Sequence, residues 1–121
     1  MGGILVMFSF NIKTGKREQY GKWFKKNEEK MRDFYAKIGA TYRGTYVNNF
    51  GLAASDGIVM VEFSSFEDFD VLRELDYPEI GPIMMEAMEV SERGVATQIY
   101  ENASDAFQEV VVRKHKGKRP A

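Results

Sequence analysis

Cysteine is absent from this 121-residue chain. No disulfide, thiolate metal site or cysteine nucleophile can therefore form. Histidine is nearly absent. The single copy, His115, sits in the run Arg113-Lys114-His115-Lys116, whose positive charge repels metal cations. No carboxylate cluster has metal-ligand spacing either, and no Ser/His/Asp set can be built around a histidine in that tail. Net charge is also scarce: at -1, nothing global draws the protein to nucleic acid or to an anionic membrane. No apolar run approaches the roughly 20 residues of a membrane helix. The opening residues lack a basic leader and turn polar at Ser9 and Asn11, so they read as a strand and not as a signal peptide. The expected location is the cytoplasm. There is no phosphate-cradling glycine loop. The aromatic RNA-binding signature is missing from the first and third strands, so nucleic acid is not an expected partner.

What is present is an ordinary globular composition, 44% hydrophobic and 29% charged, which excludes disordered and collagen-like classes. The length allows one domain. Nine phenylalanines, six tyrosines and one tryptophan can fill its core.

Hydrophobic periodicity then divides the chain. Residues 3–12 alternate, with Val6, Phe8, Phe10 and Ile12 on one face and Leu5, Met7, Ser9 and Asn11 on the other. Thr14 is placed to cap a helix. Its apolar stripe is Tyr20, Trp23, Phe24, Asn27, Met31, Phe34, Tyr35 and Ile38, spaced by threes and fours, and Gly39 supplies the stop. Residues 40–48 predict a second strand. Asp56-Gly57 predicts a turn into a third strand over 58–63, antiparallel to the second. Ser65 with Asp68 resembles a capping box opening a second helix on Phe66, Phe69, Leu72 and Leu75. Pro78 and Pro82 interrupt that helix, a further helical piece carries Met84, Met85 and Met88, and Gly94 is expected to end it. A fourth strand follows over 95–100. The order βαββαβ is the split βαβ pattern of an α+β, ferredoxin-like sandwich with an antiparallel sheet. Residues 1–103 form this domain. Residues 104–121 form a C-terminal extension, a short strand over 107–112 and then a basic tail with five Lys/Arg in its last nine residues.

Two helices cover only one face of such a sheet. The other face, with Leu5, Met7, Ser9, Asn11, Ile58, Met60 and Glu62, is too apolar to stand open to water. Packing it on a second copy through a two-fold axis predicts a homodimer. On these residues, the opening strand 4–12, the passage Glu62-Phe63-Ser64-Ser65-Phe66-Glu67-Asp68-Phe69 and the broken second helix, the chain resembles the dimeric α+β barrel superfamily. That superfamily includes antibiotic-biosynthesis monooxygenases, muconolactone-isomerase-like proteins and stress-responsive barrel proteins. The resemblance spans residues 3–103. It implies the fold and the dimer but not one activity, because the superfamily hosts unrelated chemistries and pure binding proteins.

Several residues could carry chemistry. Glu62 sits mid-strand facing the space between sheets, as a base or substrate anchor, or as the partner of Arg43 in a structural ion pair. Tyr42, Tyr46 and Tyr100, with Ser9, Asn11, Met60 and Gln98, could line a mostly apolar ligand pocket, or simply pack the sheet. The resemblance adds that some monooxygenases use a Trp and an Asn near the substrate, which draws notice to Trp23 and Asn27. Core packing is the simpler role for both. It adds too that haem-degrading members need an internal histidine, which this chain lacks. No cofactor and no metal are expected.

Three readings follow. The first is a dimeric barrel that binds a small apolar or aromatic molecule. The second is a cofactor-independent monooxygenase or isomerase in which Glu62 takes the proton and Arg43 or Asn11 steadies the anion. The third is an assembly module that uses residues 104–121 to recruit a partner.

Overall fold

A computed structural model describes residues 3–49, 55–74 and 80–107. Seven elements follow one another: β1 (Ile4–Ile12), α1 (Arg17–Lys37), β2 (Thr41–Val47), β3 (Gly57–Phe63), α2 (Phe66–Glu74), α3 (Gly81–Val90) and β4 (Ser91–Glu101). The strands form one antiparallel sheet in the order β2-β3-β1-β4, the ferredoxin-like arrangement expected from the sequence.

The alternation of β1 and β3 builds the core. Ile4, Val6 and Phe10 are buried on the helix side, opposite Phe63, Val61 and Gly57 of β3. From α1, Tyr20, Trp23, Asn27, Met31 and Phe34 face the same core, the stripe expected from the periodicity. Trp23 Nε1 donates to the Ile83 carbonyl at 3.1 Å, and Asn27 Nδ2 donates to the Trp23 carbonyl at 2.9 Å. The first bond pins α1 to α3 and the two together satisfy the polar groups of Trp23 and Asn27, so both are core residues.

Several boundaries differ from expectation. Thr14 does not cap α1: the helix begins at Arg17 with Lys16 before it and no side-chain cap. Pro82 does not break a helix. It lies in the first turn of α3, where a missing N–H costs nothing. Gly94 does not end α3. The helix stops at Val90, and the Ser91 hydroxyl donates back to the Ala87 carbonyl at 2.6 Å. β4 thus starts four residues earlier than expected, and Gly94 lies inside it. Ser65 does cap α2, accepting from the Asp68 N–H at 3.2 Å, while the Asp68 carboxylate turns to the Ser64 hydroxyl.

After β4, residues 103–107 form a helical turn. Its free N–H groups at Ser104 and Asp105 are capped by Asn102 Oδ1. The expected strand at 107–112 therefore meets this turn at Phe107, and its remainder lies outside the described residues. So do the basic tail, His115 and Pro78. Among the described residues, no helix is long and apolar enough to cross a membrane.

Candidate functional site

Two bulges decide which side chains face which side of the sheet. The first lies in β2. Its register against β3 slips between Tyr42, opposite Val61, and Gly44, opposite Met60. Gly44 holds φ +132, a conformation side chains rarely adopt, and a Cβ there would sit 3.2 Å from the Tyr46 ring. The slip gives Tyr42 and Tyr46 opposite faces although they are four residues apart. Tyr42 turns to the helix side. Its hydroxyl donates to Glu28 Oε2 at 2.9 Å and meets Thr45 Oγ1 at 2.7 Å, and its ring stacks on Tyr35. Burial first, then the Glu28 carboxylate, holds its pKa well above the usual tyrosine range. Tyr46 stays on the opposite, open face and is exposed. The structure therefore does not bring Tyr42 to the other expected ligand residues.

The second bulge is in β4. Ser9 pairs with Ala96 and Asn11 with Glu92, so Arg93, Gly94 and Val95 all stand opposite Phe10. Gly94 takes φ +70. The extra length turns Arg93 onto the helix side. Its guanidinium carbon lies 4.6 Å from the Phe10 ring centre, 5.0 Å from Trp23 and 5.6 Å from Tyr20. Each such contact contributes about 0.5–2 kcal/mol, more as water is excluded.

Arg93 borders a cavity of about 410 Å³ between the sheet and the helices. Phe8, Ser9 and Val59 form the sheet wall and Met31, Phe34 and Tyr35 the α1 wall. Leu72, Ile80 and Met84 close it, and Gly81 and Gly94 complete the lining. Burial pushes the Tyr35 hydroxyl up to about 12 despite the opposing pull of Arg93. Among the described residues the lining is apolar with a single charged side chain, the usual composition of a small-molecule site. Of the seven expected ligand residues, only Ser9 reaches it. Met84 lines it as a flexible apolar wall, while Met85 and Met88 are exposed.

Glu62, Met60, Gln98, Tyr100 and Tyr46 lie instead on the open face, in three rows across the sheet. Glu62, Leu5 and Tyr100 form one, Met60, Met7 and Gln98 the next, and Ile58, Ser9 and Ala96 the third. Tyr46 extends the third row from β2. Asn11 is already occupied: its side-chain carbonyl accepts from the Asp56 N–H at 2.9 Å, and Asp56 Oδ2 accepts from the Ile12 N–H at 2.8 Å. Glu62 Oε1 accepts from Arg43 Nε at 3.0 Å and lies 2.9 Å from Arg43 Nη2. The bulge that flips Tyr42 also sets Arg43 beside Glu62. That pair is half-exposed in one chain and lies across the sheet from the Arg93 cavity. Among the described residues, no group of three or more acidic or histidine side chains could hold a metal ion.

Arg93 is the residue that sequence reasoning missed. The available signal was a glycine after an arginine inside an apolar stretch, where a bulge is a better reading than a helix stop.

No family model matches the chain. No curated protein matches it in sequence. Solved structures do match in shape. An uncharacterized NIPSNAP domain protein from Burkholderia xenovorans superposes with a TM-score of 0.60 at 14% identity, over 84% of this chain and 95% of that one. A NIPSNAP family protein from Agrobacterium tumefaciens gives 0.58 at 19% identity, over 83% and 93%. SnoaB, a cofactor-independent oxygenase from Streptomyces nogalater, gives 0.51 at 12% identity, over 84% and 94%. At such identities the likeness concerns fold. The chain has the ferredoxin-like α+β fold of these proteins, as its resemblance to the dimeric α+β barrel superfamily implied.

Proposed function

We propose that this protein binds a small, largely apolar molecule between its sheet and its helices, and that it works as a cytoplasmic homodimer. The cavity of about 410 Å³ carries the ligand reading: it is large enough for a small aromatic or branched aliphatic molecule and is walled by apolar side chains. Filling it with ordered water would leave that water few hydrogen-bond partners. The open face supports the dimer. No described helix covers it, Leu5, Met7, Ile58 and Met60 are incompletely buried there, and Tyr46 and Tyr100 are exposed. A second copy laid on this face removes that apolar area from water. The lack of cysteine fits a reducing compartment.

The enzyme reading has no comparable support. Glu62 borders a smaller hollow of about 300 Å³ with Leu5 and Tyr100, away from the apolar cavity, and is engaged with Arg43.

Native mass spectrometry of the protein incubated with N-phenyl-1-naphthylamine, a neutral apolar probe, tests both parts. The expected mass is two chains with bound probe, and Leu72→Trp, which fills the cavity, should lose the probe and keep the two-chain mass. Probe binding that is absent in the parent, or unchanged in the variant, overturns the cavity reading. A single-chain mass overturns the dimer.

A further inference from the structure

Arg93 is part-buried in an unusual way. Among the described residues, no carboxylate lies within ion-pair distance of it, and its Nε is buried without a hydrogen bond. The Tyr20 hydroxyl in the same aromatic cluster is also buried without a partner. Arg93 is close enough to pull the Tyr20 pKa down in part, although burial still holds it above the usual value. Yet the two groups form no hydrogen bond of good geometry. Both can donate. The Tyr20 oxygen could also accept, yet it makes no bond to Arg93 in this geometry, and among the described residues the cluster holds no anionic acceptor.

A guanidinium does not lose its proton when buried, so its charge must be met in another way. Aromatic faces offset only part of the lost hydration and leave the shielded Nε–H without an acceptor. The same side chain borders the apolar cavity, and among the described residues no Asp or Glu lines it. The bulge at Gly94 is what aims Arg93 here. Regular pairing opposite Phe10 would place one β4 residue where three now stand.

Resting on the cavity reading above, we infer that the occupant of this cavity is an apolar monoanion. A single carboxylate, sulfonate or enolate oxygen would meet Arg93, and an apolar body would lie against Phe8, Phe34, Leu72 and Met84. An anionic oxygen supplies the missing acceptor and the missing counter-charge together. A neutral molecule of the same shape would fill the space and leave the guanidinium uncompensated.

The test compares two dyes that share an aryl-naphthylamine skeleton: 1-anilinonaphthalene-8-sulfonate, an anion, and N-phenyl-1-naphthylamine, which is neutral. Fluorescence titration of the parent should show the anion bound about tenfold more tightly or better, as expected for a charge-assisted hydrogen bond in a dry site. Arg93→Met should collapse that ratio to about one, and Arg93→Lys should restore part of it. Circular dichroism confirms that each variant is folded. In the unmutated protein, the Arg93 Nε–H resonance should shift with the anionic dye and stay in place with the neutral one, which keeps the test decisive if Arg93→Met does not fold. Equal affinities for the two dyes in the parent overturn the monoanion and leave the cavity reading standing. A preference that survives Arg93→Met, or an Nε–H signal indifferent to the anion, overturns the role of Arg93. Binding of neither dye overturns the cavity reading itself, and the monoanion with it.

Discussion

Replacing Gly57 with alanine would put a methyl carbon where the Phe10 ring already is. The added carbon would lie 2.3, 2.7 and 2.9 Å from Cζ, Cε2 and Cε1 of that ring. Carbon atoms in ordinary contact stand about 3.5–4.0 Å apart, so the ring would have to retreat by more than about 1 Å. It has nowhere to go. Phe10 is fully buried, stacked 5.1 Å from Tyr20 and covered by Arg93 at 4.6 Å. Overpacking of this kind costs about 1–3 kcal/mol. Alanine also stiffens the unfolded chain, a gain of about 0.4–1 kcal/mol wherever the native backbone accepts it. The net expected loss is about 1–2 kcal/mol, read from urea unfolding followed by the fluorescence of Trp23, the one tryptophan. A second background identifies the cause. Leucine lacks the three ring atoms that clash, so in Phe10→Leu the same Gly57→Ala change should be neutral or slightly stabilising. The two changes would then couple by about 1–2 kcal/mol. An equal cost of Gly57→Ala in both backgrounds would refute the argument, because the ring could not then be the obstacle.

Two further outcomes follow from the packing. Burial raises the pKa of Tyr20 and Tyr42 and takes Tyr35 up to about 12, so the folded protein keeps tyrosine protons that the unfolded chain releases near pH 10. Stability is therefore complete below pH 10 and falls as the pH rises above it, with Tyr35 contributing about 1.4 kcal/mol per pH unit up to about 12. Tyr35→Phe should flatten that slope in urea unfolding from pH 9 to 11.5, and an unchanged slope would contradict the assignment. Met60→Lys places a charge in the middle row of the open face, beside Met7. Sedimentation should then show a single folded chain, and a dimer of unchanged strength would mean that this face is not the interface.

The parts of the fold that sequence made legible are those where one period runs uninterrupted. Val6, Val61 and Phe63 on one side, and Leu5, Met7 and Met60 on the other, follow from simple alternation in β1 and β3, which pair without a slip. The α1 stripe from Tyr20 to Phe34 is equally regular. Alternation fails where a strand carries extra residues. It misplaced Tyr42 because a bulge lies between it and Tyr46, and it overlooked Arg93 because Gly94 reads as a helix end when β4 is taken to begin later. The signal that ends α3, a serine hydroxyl bonded to the carbonyl four residues back, resembles an ordinary polar residue until the next strand is seen to leave at that point. The cavity itself was not legible, since its walls come from β1, β3, β4, α1, α2 and α3 and depend on how far those elements stand apart. Arg93, the one charged residue among its described lining, arrives there only through the β4 bulge.

The same two bulges bear on how the sheet meets other strands. β2 and β4 are its outermost strands, and each is bulged. A long, flat outer strand is a template on which further strands can assemble into fibres. Here the slip at Arg43 and Gly44 interrupts the free rim of β2 near its middle and sets a charged pair beside it. On the opposite rim, Gly94 leaves only the stretch from Ala96 to Glu101 in regular register with β1. End-to-end growth of the sheet is thereby blocked on β2 and confined to six residues on β4. The geometry that turns an arginine inward also discourages further strands from adding to the edges of the sheet.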